Sequence, residues 1–317
     1  MTRILITGGT GFAGSHLIEA LLNEGYEDIY ATSYGQVPSE LKHLLPEHHF
    51  HQIDLTDATA TTALIKEIQP DHIYHLASFA FVGESFARAG EVFQNNVTLQ
   101  INLLDAVREH CPGARVLIVG SAEEYGISES PNELPINEEH PLRPVNPYAV
   151  SKVTQDLLGY SFGKSFNLQI LRVRPFNHIG ERQTTDFVVP AFISQVVAIE
   201  NGKQDVLRVG NLNSVRDFTD VKDMVRAYIT VMEKGLPLEV YNIGSGQGIS
   251  MAELLEKIKA LAKTEIIVEE DQSRMRPADI PEMVADPSKI KQLGWQPRIS
   301  LDETIRRVFQ SIRKVKI

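Results

Sequence analysis

The run Arg3-Ile4-Leu5-Ile6-Thr7-Gly8-Gly9-Thr10-Gly11-Phe12-Ala13-Gly14 passes from an apolar stretch of strand type into a glycine turn. Behind it, His16-Leu17-Ile18-Glu19-Ala20-Leu21-Leu22 has helical spacing. Strand, turn and helix fall within about 25 residues, the context a dinucleotide-binding fingerprint requires. Gly8, Gly11 and Gly14 are spaced G-x-x-G-x-x-G, which permits a tight turn, close approach of backbone to a pyrophosphate, and close packing of helix on strand. Phe12 and Ala13 complete the expected cofactor-binding turn.

Working outward, Asp28-Ile29-Tyr30-Ala31-Thr32 reads as a second strand. It ends where a dinucleotide fold places an acid for ribose hydroxyls or a cation for a 2′-phosphate. This chain offers Thr32, Ser33 and Tyr34 there, which leaves NAD(H) and NADP(H) both open with a lean towards NADP(H). His48, His49 and His51 read as a solvated loop before a third strand, with no ligand set for a metal. Asp54 and Leu55 follow that strand and are placed to meet the adenine end of a cofactor. Asp71-His72-Ile73-Tyr74-His75 is a fourth strand ending in Leu76-Ala77-Ser78, small enough to leave room for a ligand. Asn95-Asn96-Val97 opens a long helix, and Arg115 to Gly120 is a fifth strand with Ser121 at its tip. Leu168 to Val173 is a sixth.

Strand and helix alternate to about Val173, which predicts an α/β, doubly wound parallel sheet of Rossmann type. The rhythm then breaks, predicting a second, smaller α/β domain that binds substrate. The dinucleotide-binding part covers residues 1–173 plus about 217–243, and the substrate part 174–216 and 244–317. Ser250 and Ser300 open capping boxes in the second part.

Asn146-Pro147-Tyr148-Ala149-Val150-Ser151-Lys152 is the chemical centre of the chain. Asn146 can cap a helix and Pro147 suits its first position, so Tyr148 and Lys152 share a face one turn apart. An ammonium so placed is expected to favour phenolate and lower a phenol pKa of about 10, making an acid/base group.

Lys and Arg number 31 against 41 Asp and Glu, a net charge of −10, which argues against nucleic acid or an anionic membrane as the main partner. Cys111 is the single cysteine, so an intrachain disulfide and a cysteine metal cluster are both excluded, and a reducing, cytoplasmic setting is expected. No apolar run has the length of a signal peptide or a membrane span.

Ser121, Tyr148 and Lys152, in that order behind the glycine turn, resemble the extended short-chain dehydrogenase/reductases. Within them the chain is most similar to the GDP-4-keto-6-deoxy-D-mannose reductases, with the GDP-mannose 4,6-dehydratases next. The matching runs are Arg174-Pro175-Phe176-Asn177-His178-Ile179-Gly180, Phe187-Val188-Val189-Pro190, Val209 to Phe218, and Arg274 to Pro281. The resemblance implies that Ser121, Tyr148 and Lys152 are catalytic and that Asn96 and Pro175 shape the cofactor site. It implies Arg216 and Arg276 for a diphosphate, Asn177, Val188 and Asn211 lining the nucleotide pocket, Asp279 near the ribose, and Glu84 and Ser85 near the sugar. The dehydratases carry a proton-handling residue and then a glutamate after the strand-tip hydroxyl. Here the first of these is Ala122, while Glu123 remains as a candidate base. The expectation is therefore NAD(P)H-dependent reduction of the C4 ketone of a GDP-linked 4-keto-6-deoxy sugar to GDP-D-rhamnose by a homodimer. The competing readings are a GDP-mannose 4,6-dehydratase and a dinucleotide-binding module without turnover.

Overall fold

The structure of the protein is a computed structural model that describes residues 1–275 and 279–314. The chain runs β1 (Ile4–Thr7), α1 (Phe12–Asn23), β2 (Ile29–Ser33), β3 (Phe50–Gln52), α2 (Ala58–Ile68), β4 (His72–His75), α3 (Val82–Ser85), α4 (Ala89–His110), β5 (Arg115–Val119), α5 (Pro147–Phe166) and β6 (Gln169–Pro175). It then forms β7 (Asn177–Ile179), α6 (Val188–Glu200), β8 (Leu207–Val209) and β9 (Val215–Asp220), and returns through α7 (Val221–Lys234) and β10 (Val240–Ile243). The last stretch holds β11 (Gly248–Ser250), α8 (Met251–Lys259), β12 (Val268–Glu270), β13 (Glu282–Met283), α9 (Ser288–Gln292) and α10 (Leu301–Lys314).

Seven parallel strands make the main sheet in the order β10-β6-β5-β4-β1-β2-β3. Both faces are covered, and the two-residue period of the strands sorts their side chains between them. Ile4 and Ile6 enter the core under α1 and α7 with Leu17, Leu21, Met224 and Tyr228, whereas Leu5 enters the opposite core with Ile65, Leu103 and Val107 of α2 and α4. The same division puts Leu117 and Leu171 on the first face and Val116, Ile118 and Ile170 on the second. This is the doubly wound arrangement the alternation predicts. Chain order reverses between β1 and β4, so a crevice opens beyond their carboxyl ends.

The second sheet joins β11, β9 and β13 with β7 pairing β9, and β8 and β12 pair separately. Its core is built from Phe192, Ile193 and Val196 of α6, Leu254 and Ile258 of α8, and Ile305, Val308 and Phe309 of α10. Asp220 both ends β9 and caps α7, with no turn residue between the second sheet and the returning helix. The long helix α4 starts at Ala89, before the Asn95-Asn96 pair at which the sequence predicts its opening. Asn96 lies inside that helix and spends its amide on tertiary contacts. Among the described residues no helix is long and apolar enough to cross a membrane.

Asp217 fastens the second sheet. Its buried carboxylate accepts backbone N–H bonds from Ser245 at 2.9 Å, Gly246 at 2.8 Å and Ala285 at 3.2 Å, tying β9 to two other pieces of chain. Asp217→Ala leaves these three donors without their acceptor. It is expected to cost about 3 kcal/mol, read as a lower denaturant midpoint.

Candidate active site

The glycine turn lies at the crevice between β1 and β4. Gly8 has φ +69°, and a Cβ there would lie 2.9 Å from the Ala77 nitrogen; a Cβ at Gly14 would lie 2.3 Å from the Gly8 oxygen. Gly11 precedes α1 with no side-chain cap, and the first turn carries no acid. The positive helix end, with the backbone of Phe12, Ala13 and Gly14, is thus left for an anion from outside the chain. These residues fit the pyrophosphate of a dinucleotide. The Phe12 ring stacks on His178 at 5.7 Å between centroids, 5° from parallel, joining the turn to the second sheet.

Around the crevice, several predicted residues are held by the protein itself. Ser33 ends β2 instead of following it, and its hydroxyl donates to Gly35 O at 2.7 Å and accepts from Thr10 Oγ1 at 3.0 Å. Thr32 Oγ1 accepts the Gly8 N–H at 3.0 Å. Both hydroxyls thus brace the glycine turn, and Tyr34 is exposed. Asp54 closes a local turn onto Thr56, and the Leu55 carbonyl accepts from Asn102 at 2.9 Å. Leu76, Ala77 and Ser78 continue from β4, with Leu76 and Ala77 both bonded to Thr7. Asn96, fully buried, accepts from Phe79 N at 2.7 Å and donates to Phe79 O at 3.2 Å and Ser151 Oγ at 3.0 Å. It clamps the loop after β4 onto α5. Pro175 is the last residue of β6.

Ser121, Tyr148 and Lys152 come together at the tips of β5 and β6. Helix α5 begins as its sequence dictates, with Pro147 in its first turn and Asn146 Oδ1 accepting the Ala149 N–H at 2.8 Å. Tyr148 is 8% and Lys152 4% exposed. The Ser121 hydroxyl lies close enough to the Tyr148 phenol to favour its phenolate form. Lys152 Nζ donates to Val119 O at 2.9 Å and lies 5.9 Å from the Tyr148 ring centroid. Burial raises the phenol pKa well above its ordinary range, and the Ser121 hydroxyl only partly offsets this. The expected lowering by Lys152 is therefore reversed: desolvation of the phenol is the largest effect, and Lys152 donates to the Val119 carbonyl. Burial also lowers Lys152 to about 8. His75, fully buried in β4, is brought down to about 3 by burial and then by the Lys152 charge, so it stays neutral. Glu123 accepts from Asn146 Nδ2 at 2.8 Å and thereby braces the cap of α5. Ala122 is buried with Tyr125, Ile136 and Phe176.

Among the substrate candidates, Asn211, Arg216 and Asp279 form one cluster. Asp279 accepts from Arg216 Nη2 at 3.2 Å and from Asn211 Nδ2 at 2.6 Å. Arg276 lies outside the described residues. Asn177 is exposed at the start of β7, and Val188 opens α6. Glu84 faces solvent and pairs with Arg88 at 3.3 Å, whereas Ser85 is buried and donates to Val82 O at 2.7 Å. These last two are not brought to one surface. Sequence reasoning passed over the buried charges Glu124, Asp156 and Arg174. The available signal is Arg172-Val173-Arg174, two arginines on one face of an otherwise apolar strand, which require buried acids opposite.

Residues 5–308 match the family described as GDP-mannose 4,6 dehydratase. The chain is 32% identical over 310 residues to the GDP-6-deoxy-D-mannose reductase of Pseudomonas aeruginosa, covering 97% of this chain and 96% of that one. It is 30% identical over 346 residues to the GDP-mannose 4,6-dehydratase of Yersinia enterocolitica, covering 96% and 91%. The solved structure of RMD from Pseudomonas aeruginosa complexed with NADPH superposes with a TM-score of 0.86 at 30% identity, over 99% of each chain. The glycine turn, the Ser121–Tyr148–Lys152 group and these likenesses agree: the chain belongs to the GDP-mannose 4,6-dehydratase family of extended short-chain dehydrogenase/reductases.

Proposed function

We propose that the protein is a cytoplasmic, homodimeric NAD(P)H-dependent reductase that converts the C4 ketone of GDP-4-keto-6-deoxy-D-mannose to the alcohol of GDP-D-rhamnose. The observation that carries this is the buried group of Tyr148 and Lys152 beside Ser121, with its phenol kept protonated by burial. A neutral phenol is a proton donor, which is what a ketone needs as it becomes an alcohol. When bound, the reduced nicotinamide supplies the hydride to C4. Ser121 orients the carbonyl oxygen, Tyr148 gives that oxygen its proton, and Lys152 holds the nicotinamide ribose and carries positive charge beside the forming alkoxide.

Two neighbours speak against dehydration. Elimination of water across C5 and C6 needs a free base and a partner that moves protons. Ala122 is a buried methyl that moves no proton, and one oxygen of Glu123 is held by Asn146. For the nucleotide end, Arg216 with Arg276 would take the diphosphate through guanidinium forks, and Asn211 and Asp279 would orient the nucleoside. The nicotinamide cofactor itself is supported by the uncapped start of α1 and by the NADPH held in the Pseudomonas aeruginosa structure. The dimer reading is supported by Val150, Leu157 and Tyr160, which stand 42%, 53% and 42% exposed along α5 beside Phe93 of α4 at 39%. These residues face away from the sheet, and pairing α4 and α5 with their copies would cover them.

The purified protein is expected to oxidise NADPH or NADH with GDP-4-keto-6-deoxy-D-mannose and to yield GDP-D-rhamnose by NMR. Tyr148→Phe should lower turnover about a thousandfold while cofactor binding persists. Release of a 4-keto sugar from GDP-mannose with oxidised cofactor would establish the dehydratase instead. The pH profile gives a second check. Lys152 is charged below about 8 and neutral above it, so kcat/KM should fall as pH rises through that value. Lys152→Arg, which keeps its charge, should lose that limb. A wild-type profile flat to about pH 9 would contradict the role given to Lys152.

A further inference from the structure

Directly beneath the proposed reaction centre lies a fully buried carboxylate that the chemistry above does not use. Glu124 Oε1 accepts the backbone N–H of Ser121 at 2.8 Å, and Oε2 accepts from Arg174 Nε at 3.0 Å. Arg174 continues to Tyr125 Oη at 3.0 Å and to Asp156, whose other oxygen accepts from Arg172 Nη1 at 3.0 Å. This line of buried charge starts at Ser121, crosses under α5 through Asp156, and ends on β6. Gly120 is shaped around it: a Cβ there would sit 2.2 Å from Glu124 Oε1. Such a network is costly to bury, and hydrophobic replacement of buried ion pairs is often neutral or stabilising. Its position against Ser121 therefore calls for a reason beyond stability.

We propose that Glu124 is a positioning residue for the reaction: anchored by Arg174, its carboxylate fixes the backbone of Ser121 and so the hydroxyl that meets the Tyr148 phenol. The inference rests on the roles given above to Ser121 and Tyr148. Each oxygen of Glu124 receives one N–H, and both are needed to hold Ser121 against the β6 arginine. Burial and then the Asp156 charge push the Glu124 carboxyl up to about 8 against the pull of Arg174, and in its ionised form it also favours the ammonium of Lys152. Ser121 thus takes its place from β6 as well as from the tip of its own strand.

Glu124→Gln is the informative change, because an amide has one acceptor atom and must leave either Ser121 N–H or Arg174 Nε–H without its partner. The expected result is a loss of about a hundredfold in kcat with KM within about threefold of wild type, since a small misplacement of a reacting group costs rate more than binding. Gly120→Ala, which displaces the same oxygen, should reproduce this split while leaving the carboxylate in the chain. A readout free of substrate comes from fluorotyrosine-labelled protein: in Glu124→Gln the fluorine resonances of Tyr148 and Tyr125 should move, while those of the other tyrosines stay in place. If wild type fails to reduce the keto sugar, the reaction proposed above falls, and the fluorine spectrum still decides the role of Glu124. An unmoved Tyr148 resonance, or a fall in kcat that follows loss of folded protein, would overturn the proposal.

Discussion

A desolvated phenol and a desolvated ammonium, one helical turn apart at the start of α5, set the terms for the rest of the molecule. Moving the Lys152 pKa from 10.5 to about 8 corresponds to about 3 kcal/mol against its charged form. Holding that group under cover takes a helix whose first turn cannot fray. Asn146 caps it, Pro147 presets its first residue, Glu123 holds the cap, and Asn96 pins Ser151 from the neighbouring helix. The Val119 carbonyl then receives the ammonium at 2.9 Å, so the tip of β5 and the first turns of α5 form one unit.

That unit gains its meaning from the crevice beside it. The sheet reverses its winding between β1 and β4, and the glycine turn and the Leu76-Ala77-Ser78 segment both open there. Gly8 lies so close to Ala77 that a side chain at residue 8 would run into the Ala77 backbone. The Phe12–His178 stack carries the contact from this turn to β7, and β7 pairs with β9, the strand that holds Arg216. Cofactor turn and Arg216 cluster are linked by a short series of packed elements.

Local chemistry made much of this legible in the sequence. The strand, glycines and helix of the first turn are contiguous, and Asn146-Pro147 announces the start of α5 by its own side chains, so both are read without tertiary knowledge. The alternation of strands likewise implies a covered parallel sheet. What escaped depends on contacts distant in the chain. Asn96 looks like a helix start, but its amide is spent on Phe79 and Ser151. The bracing of Thr10 and Gly35 by the Ser33 hydroxyl likewise has no local signal. The Tyr148 shift runs opposite to what its spacing from Lys152 predicts, because spacing reports the nearness of a charge and not the depth of burial, and burial is the larger effect here. Glu124, Asp156 and Arg174 meet only once β6 lies under α5.

The central claim is that this site passes a hydride to one carbon of a sugar and a proton to the oxygen on it. Turnover of GDP-4-keto-6-deoxy-D-mannose with nicotinamide cofactor deuterated at the transferred position tests it most directly, with the product read by proton and deuterium NMR. Deuterium at C4 of a 6-deoxy sugar, one per molecule, is the predicted result. Deuterium elsewhere, or a product still carrying its ketone, would contradict the account.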